Sequence, residues 1–237
     1  MEAVILAGGK GTRLMPYTTT IPKPLVPVGE RPILEIVINQ LKAAGVKKIT
    51  VTVNHMADLI MAFFGDGRRY GIDIAYSIEE RPLSTVAPVK LIKGLPDHFF
   101  VMNGDLLTDM DFGALYKSHV VSGEQLTVAT YRRDSTINFG VMEVDESVNR
   151  VVGFVEKPTY HFMVSTGIYV YSRTLLDRVP YNEPYGFDNL VLDMLRDAAP
   201  INVYPHTGYW LDIGRPDDYE VANKDVDKIL GLETHSQ

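Results

Sequence analysis

Short apolar runs alternate with helix-period segments through the first half of the chain, and this alternation constrains the fold more than any other feature. Strands buried on both faces need helices to cover them, so the rhythm implies βαβ units and a largely parallel sheet. Residues 3–7 read as a buried first strand. Residues 32–44 read as a helix, with Pro32 in its first turn and Gly45 at its C-terminal stop. Residues 48–53, rich in β-branched side chains, read as the second strand, and 57–64 as a short helix closed by Gly65. Residues 72–78 alternate as a third strand, 86–93 read as a helix stopping at Gly94, and 99–103 as a fourth buried strand. A helix over 112–121 follows, with Asp111 as its N-cap. After Tyr131 the rhythm changes. Residues 141–144, 151–156 and 167–171 read as strands of a meander, and 188–198 and 217–230 as helices. The tail, 231–237, is expected to fray.

The 237 residues, 46% of them hydrophobic, suffice for one α/β domain with its own core. No linker or repeat divides it, so a single domain over 1–237 is expected, with functional halves at 1–131 and 132–237. A net charge of −7 argues against nucleic acid held by bulk charge. The absence of cysteine excludes disulfides and thiolate metal sites. The first residues run straight into a strand-like stretch with no basic region and no long apolar run. The expectation is no leader peptide, no membrane span and, by default, a cytoplasmic location. The six histidines, His55, His98, His119, His161, His206 and His235, show no paired metal-ligand spacing, which leaves a zinc hydrolase without support.

The chemistry starts at the end of the first strand, in Leu6-Ala7-Gly8-Gly9-Lys10-Gly11-Thr12-Arg13-Leu14. Glycines let backbone amides approach an anion without a Cβ in the way. Lys10 and Arg13 add positive charge, and a guanidinium grips phosphate oxygens with two parallel donors. Leu14 stands where a dinucleotide fingerprint would place its third glycine, which argues against an NAD-dependent dehydrogenase. The Gly-Lys-Ser/Thr ending of a P-loop is also absent. Downstream, Pro22 and Pro24 clamp Lys23 and are expected to hold its backbone extended, a brace suited to a lysine that must be preorganised against phosphate. Asp105, after the fourth strand, belongs to the carboxyl edge of the sheet, where side chains point into the ligand crevice.

The glycine loop, with Pro22-Lys23-Pro24-Leu25 beyond it, resembles the signature of the sugar nucleotidyltransferase family, which includes mannose-1-phosphate guanylyl- and glucose-1-phosphate thymidylyltransferases. The resemblance covers nearly the whole chain. It continues through Phe64-Gly65-Asp66-Gly67, Asn103-Gly104-Asp105, Gly153-Phe154-Val155-Glu156-Lys157-Pro158 and Tyr209-Trp210-Leu211-Asp212-Ile213-Gly214. It implies a Rossmann-like α/β fold with a mostly parallel sheet and flanking helices, plus a sugar-binding lobe built on the same sheet. The left-handed β-helix that some members carry is not expected. The implied reaction is attack of a sugar 1-phosphate on the α-phosphorus of a nucleoside triphosphate, releasing pyrophosphate.

The resemblance also implies roles. Asp105 and Asp212 would hold Mg²⁺, which asks for one or two carboxylates plus substrate phosphates. Arg13 would hold the β- and γ-phosphates and Lys23 the α-phosphate. The nucleotide site would comprise Leu6, Ala7, Gly8, Gly9, Gly11, Thr12, Arg13, Lys23, Glu79, Ser84, Asn103 and Gly104. Glu79 stands at the position of the base reader. A carboxylate accepts only, which suits the two neighbouring donors of guanine and favours GTP. The sugar site would be lined by Gly140, Glu156, Ser165, Thr166 and Gly167, with Lys157 meeting the sugar phosphate. Ser84, Val86, Ala87 and Pro88 depart from the family pattern, since Ser84 stands where a glycine is usual. Those departures keep open a second reading, a nucleotide-binding regulatory relative with weakened turnover. Relatives often assemble as dimers or tetramers, so a homo-oligomer is a further expectation.

Overall fold

A computed structural model of the chain describes residues 1–229, and the tail 231–237, Leu230 and His235 lie outside the described residues. In chain order the elements are β1 (Glu2–Leu6), β2 (Pro27–Val28), β3 (Arg31–Pro32), α1 (Ile33–Ala43), β4 (Lys48–Val53), α2 (Ala57–Phe64), β5 (Asp73–Ile78), α3 (Ala87–Lys90), β6 (His98–Asn103), β7 (Leu106–Thr108), α4 (Phe112–Ser122), β8 (Leu126–Thr136), β9 (Gly140–Asp145), β10 (Arg150–Glu156), β11 (Thr159–Ser172), α5 (Phe187–Arg196), β12 (Asn202–His206), β13 (Trp210–Asp212) and α6 (Pro216–Ile229).

Seven strands form the central sheet in the order β12-β8-β11-β6-β1-β4-β5. β1, β4, β5 and β6 run parallel, and β11 enters antiparallel between β6 and β8. The chain is therefore an α/β protein with a mostly parallel Rossmann-like sheet and flanking helices. Both faces of the sheet are buried. Ile5, Val51, Phe100, Met102 and Val170 pack with Leu34, Ile38 and Leu115 on one side. Val4, Phe99, Val101, Tyr169 and Tyr171 pack with Leu175, Leu190 and Met194 on the other. Helix α4 starts at the expected N-cap, where the Asp111 carboxylate accepts the Ala114 N–H at 2.9 Å.

Three expectations are corrected. The helix over 86–93 is one short turn, Ala87–Lys90, because its upstream residues are spent on a loop bonded to Tyr185: the Val86 and Ala87 N–H groups both donate to that carbonyl. The backbone around Lys23 is not extended. Pro22 is extended, but Lys23–Leu25 form a 3-10 turn in which the Leu25 and Val26 N–H groups donate to Pro22 and Lys23 carbonyls. The second half is not a meander. Among the described residues β9 and β10 pair only with each other, while β11 pairs with β8 along its length and joins β6 only over Ile168–Ser172. Strand β12 went unread because Pro205 interrupts it. Its place at the edge of the sheet, pairing on one side only, tolerates the proline.

Candidate active site

The carboxyl ends of β1, β4, β5 and β6 open into a cavity of about 390 Å³. One wall is the glycine loop, Leu6 through Gly9, with Arg13. Lys23, Asn103, Gly104 and Asp105 form the floor, and Glu79 and Ser84 the far wall. Local folding explains each placement. The Ala7 N–H donates to Thr52 O and the Gly104 N–H to Leu6 O, so the loops after β1 and β6 leave the sheet side by side. A Cβ at Gly8 would lie 2.9 Å from Glu79 Oε1, so any side chain there would have to displace that carboxylate. Gly11 and Thr12 shape the loop without lining the cavity. The Gly11 carbonyl accepts the Thr18 hydroxyl at 2.8 Å, and Thr12 opens the 3-10 turn that carries Arg13.

Lys23 and Asp105 form the charged centre. The Lys23 ammonium meets Asp105 Oδ2, and the lysine side chain is only 12% exposed. Asp105 Oδ1 is buried and has no hydrogen-bond partner among the described residues. Asp212 comes alongside through β13, which pairs antiparallel with β7 so that Asp212 stands opposite Leu106. The Ile213 N–H donates to Asp105 O at 3.0 Å and locks the two segments together. Burial raises the Asp212 carboxyl above its ordinary range, the Asp105 charge raises it further, and Lys23 and Arg13 oppose both. Two crowded carboxylates, one with a buried unpartnered oxygen, favour a cation, and their oxygen donors fit a hard divalent ion such as Mg²⁺. Among the described residues no three His, Cys, Asp or Glu side chains cluster, so phosphate and water oxygens would complete the shell.

On the far wall Glu79 is buried, its Oε2 accepts the Leu83 N–H at 3.3 Å, and burial pushes its carboxyl up despite that bond. Ser84 is held at φ +69, the left-handed region that costs a residue with a Cβ. Sequence reasoning did not find Thr52, Asn54, Pro82 and Thr85, which also line the cavity. Asn54 carries a readable signal, since it follows β4 at the carboxyl edge of the sheet. Its Nδ2 donates to Glu79 O at 2.7 Å and fixes the wall that Glu79 occupies.

The residues expected at the sugar are divided. Ser165, Thr166 and Gly167 sit where β11 slips register against β8, next to Asn103. A Cβ on Gly167 would lie 2.6 Å from Asn103 Nδ2. Thr166 donates to Ala129 O, and its own carbonyl accepts Trp210 Nε1–H at 2.9 Å. Gly140, Glu156 and Lys157 instead stand exposed on the β9–β10 ribbon, with Lys157 Nζ 4.0 Å from Glu156 Oε1, and none of them lines the cavity.

The sequence profile of the family described as Nucleotidyl transferase matches residues 2–229. The chain belongs to the nucleotidyl transferase family. Within that family it is 33% identical over 227 residues to a mannose-1-phosphate guanyltransferase of Candida albicans, covering 92% of this chain and 62% of the relative. It is 32% identical over 246 residues to a UTP–glucose-1-phosphate uridylyltransferase of Synechocystis, covering 95% and 63%. The nucleotidyl transferase chain thus spans about 62–63% of the length of these curated relatives. Among solved structures, HddC from Yersinia pseudotuberculosis superimposes with a TM-score of 0.73 at 27% identity, over 95% of this chain and 99% of that one. HddC has also been solved with GMP-PN bound.

Proposed function

We propose that this chain is a sugar-1-phosphate nucleotidyltransferase. The observation that carries the reading is the buried, unpartnered Oδ1 of Asp105, set beside Lys23 at the floor of the glycine-loop cavity with Asp212 alongside. A phosphate oxygen of a sugar 1-phosphate attacks the α-phosphorus of a nucleoside triphosphate. The bond from that phosphorus to the bridging oxygen breaks, and pyrophosphate leaves in line. The chain supplies no nucleophile. Its contribution is position and charge. Backbone amides of Gly8 and Gly9 cradle phosphates, Gly11 and Thr12 shape the loop that presents them, Arg13 holds the β- and γ-groups, and Lys23 turns from Asp105 to the α-phosphate. Mg²⁺, when held by Asp105 and Asp212 together with phosphate oxygens, would neutralise charge that develops on the transferring group. Residues 1–131 bind the nucleotide. Residues 132–237 supply the sugar side, with Ser165, Thr166 and Gly167 beside Asn103 and with Gly140, Glu156 and Lys157 reaching the sugar from the ribbon outside the cavity.

GTP is the proposed nucleotide. Glu79 accepts only, and guanine presents two adjacent donors to it. The guanyltransferase relative and the GMP-PN bound by HddC agree with that choice, while the uridylyltransferase relative favours a pyrimidine. The cytoplasm is the proposed compartment, and no described helix is long and apolar enough to cross a membrane. A second reading, a regulatory relative with weakened turnover, rests on the left-handed Ser84 at the wall of the nucleotide cavity. Pyrophosphate release, measured for each common nucleoside triphosphate against a panel of sugar 1-phosphates with Mg²⁺, separates the two. Turnover with at least one pair supports the transferase. Triphosphate binding without turnover on any pair supports the regulatory reading.

A further inference from the structure

β13, the strand that carries Asp212, meets β7 through three residues only: Trp210 opposite Thr108, Leu211 opposite Leu107 and Asp212 opposite Leu106. A two-stranded pairing of that length is marginal by itself. A one-residue slip would also turn Asp212 to the opposite face, away from Asp105. The Ile213 N–H, donating to Asp105 O at 3.0 Å, fastens the near end. The far end is held through the backbone of Tyr209. Its N–H donates to Asp109 Oδ1 at 2.7 Å. Its carbonyl accepts the Thr108 hydroxyl at 2.8 Å and the Asp109 N–H at 3.2 Å, and His206 Nε2 lies 3.0 Å from it. The same His206 nitrogen is 3.2 Å from Asp109 Oδ1, and the histidine side chain is only 9% exposed. Both neighbours of Nε2 are acceptors, so that nitrogen carries a proton and shares it between them. A side chain on Gly208 would have to displace the Asp109 carboxylate. A turn is commonly closed by one backbone hydrogen bond. Here a carboxylate and three donors converge on one residue, and that residue leads into β13.

We infer that Asp109 and His206 are positioning residues of the metal site, holding β13 in the register that sets Asp212 against Asp105. The inference rests on the reading of those two aspartates as the Mg²⁺ pair. Neither Asp109 nor His206 lines the cavity, so their effect passes along the strand. Side chains two apart on a strand share a face, so the register that places Asp212 also places Trp210. The Trp210 indole reports that placement. Its Nε1–H donates to Thr166 O at 2.9 Å, and its ring lies 5.4 Å from that of Tyr131. Thr166 stands next to Gly167, which packs against Asn103. One clamp at the head of β13 therefore governs a metal carboxylate at one end and the contact beside Asn103 at the other.

Two measurements besides turnover test this. Mn²⁺ alone is titrated into the full 237-residue chain and followed by paramagnetic resonance, and the emission of Trp210, the only tryptophan in the sequence, is recorded. Asp109→Ala deletes the acceptor of the Tyr209 N–H. It is expected to raise the Mn²⁺ dissociation constant about tenfold or more, the scale for losing a residue that orients a metal ligand, and to shift the Trp210 emission. Asp109→Asn keeps an acceptor and should restore most of both. His206→Ala should weaken Mn²⁺ less, because the Thr108 hydroxyl and the Asp109 N–H still hold the Tyr209 carbonyl. It carries the same test if Asp109→Ala does not fold. Asp111→Ala is the control for lost stability: it uncaps α4 without touching the clamp, and its Mn²⁺ affinity and emission should match wild type. Unchanged Mn²⁺ affinity or unchanged emission in the Asp109→Ala chain overturns the inference, as does an equal loss in Asp111→Ala. Asp212→Asn separates that failure from failure of the metal pair. If Asp212→Asn weakens Mn²⁺ and Asp109→Ala does not, the clamp alone fails. If wild type binds no Mn²⁺, or Asp212→Asn binds it as tightly as wild type, the metal pair fails and the inference falls with it.

Discussion

Asp105 divides its two oxygens, one against the Lys23 ammonium and one buried without a partner. Asp105→Asn keeps the size of the side chain and removes the charge. The expected outcome is a loss of roughly a hundredfold or more in kcat at saturating Mg²⁺, the scale of deleting one transition-state charge contact, with an unchanged circular dichroism spectrum. Near wild-type turnover would remove Asp105 from the reaction. Glu79→Gln places a donor against one donor of guanine. Since a charge-assisted bond is worth about 1.5–3 kcal/mol, kcat/KM for GTP should fall about tenfold or more while that for UTP or dTTP falls less. An unchanged ranking of triphosphates would hand base choice to the backbone around Gly8 and Ser84. Ser84→Gly should relieve the left-handed strain and raise stability by roughly 0.5–1 kcal/mol in urea titration; a destabilised variant would mean that the hydroxyl holds the loop. Much of the cavity was legible because its loops follow strands directly, and strand ends are where ligands meet such sheets. Thr52 and Asn54 escaped because neither sits in a charged or glycine-rich motif. Only the parallel pairing of β4 with β1 brings them to the site.

Among the elements, α4 gives the cleanest test of local design. Asp111→Ala removes the carboxylate that accepts the Ala114 N–H and should cost about 0.5–2 kcal/mol. Asp111→Asn, which keeps an acceptor, should recover most of that loss, and equal losses for both variants would deny the cap its role. The first half of the fold was readable from the chain because βαβ units are local: each strand finds its neighbour across a single helix, and the apolar period reports both. β8, β11 and β12 were harder. Their partners lie far off in sequence, and Pro205 breaks the strand pattern of β12. The β9–β10 segment read as a meander because alternation reports a strand but not its neighbour. Nothing local says that the ribbon leaves the sheet.

At the scale of the whole molecule, a polar knot fastens one side of the sheet. His119 is fully buried on α4, with Nδ1 2.8 Å from Thr127 Oγ1 of β8. Its Nε2 lies 3.1 Å from His98 Nδ1 of β6 and 3.2 Å from Ser172 Oγ of β11. Burial first, and the neighbouring His98 second, hold its pKa down to about 4. The unfolded imidazole titrates near 6.5, so below that pH the unfolded chain binds a proton that the fold resists. Stability should be flat above about pH 7 and fall as pH drops from about 6.5 to 4, by up to roughly 3 kcal/mol at 1.36 kcal/mol per unit. Urea unfolding of wild type and His119→Asn at pH 7 and pH 5 measures this, and an equal pH slope in both chains would clear His119 of it. The pairing of β7 with β13 carries a consequence of a different kind. Asp105 leaves the ribosome mid-chain, with Lys23 already made to neutralise it, whereas Asp212 is synthesised near the end. The emerging polypeptide can therefore bury its first carboxylate early, and the second is brought against it only after β13 has closed on β7. A chain interrupted in translation before that point would carry Asp105 and Lys23 without Asp212, and so only one of the two carboxylates that the proposed reaction offers to Mg²⁺.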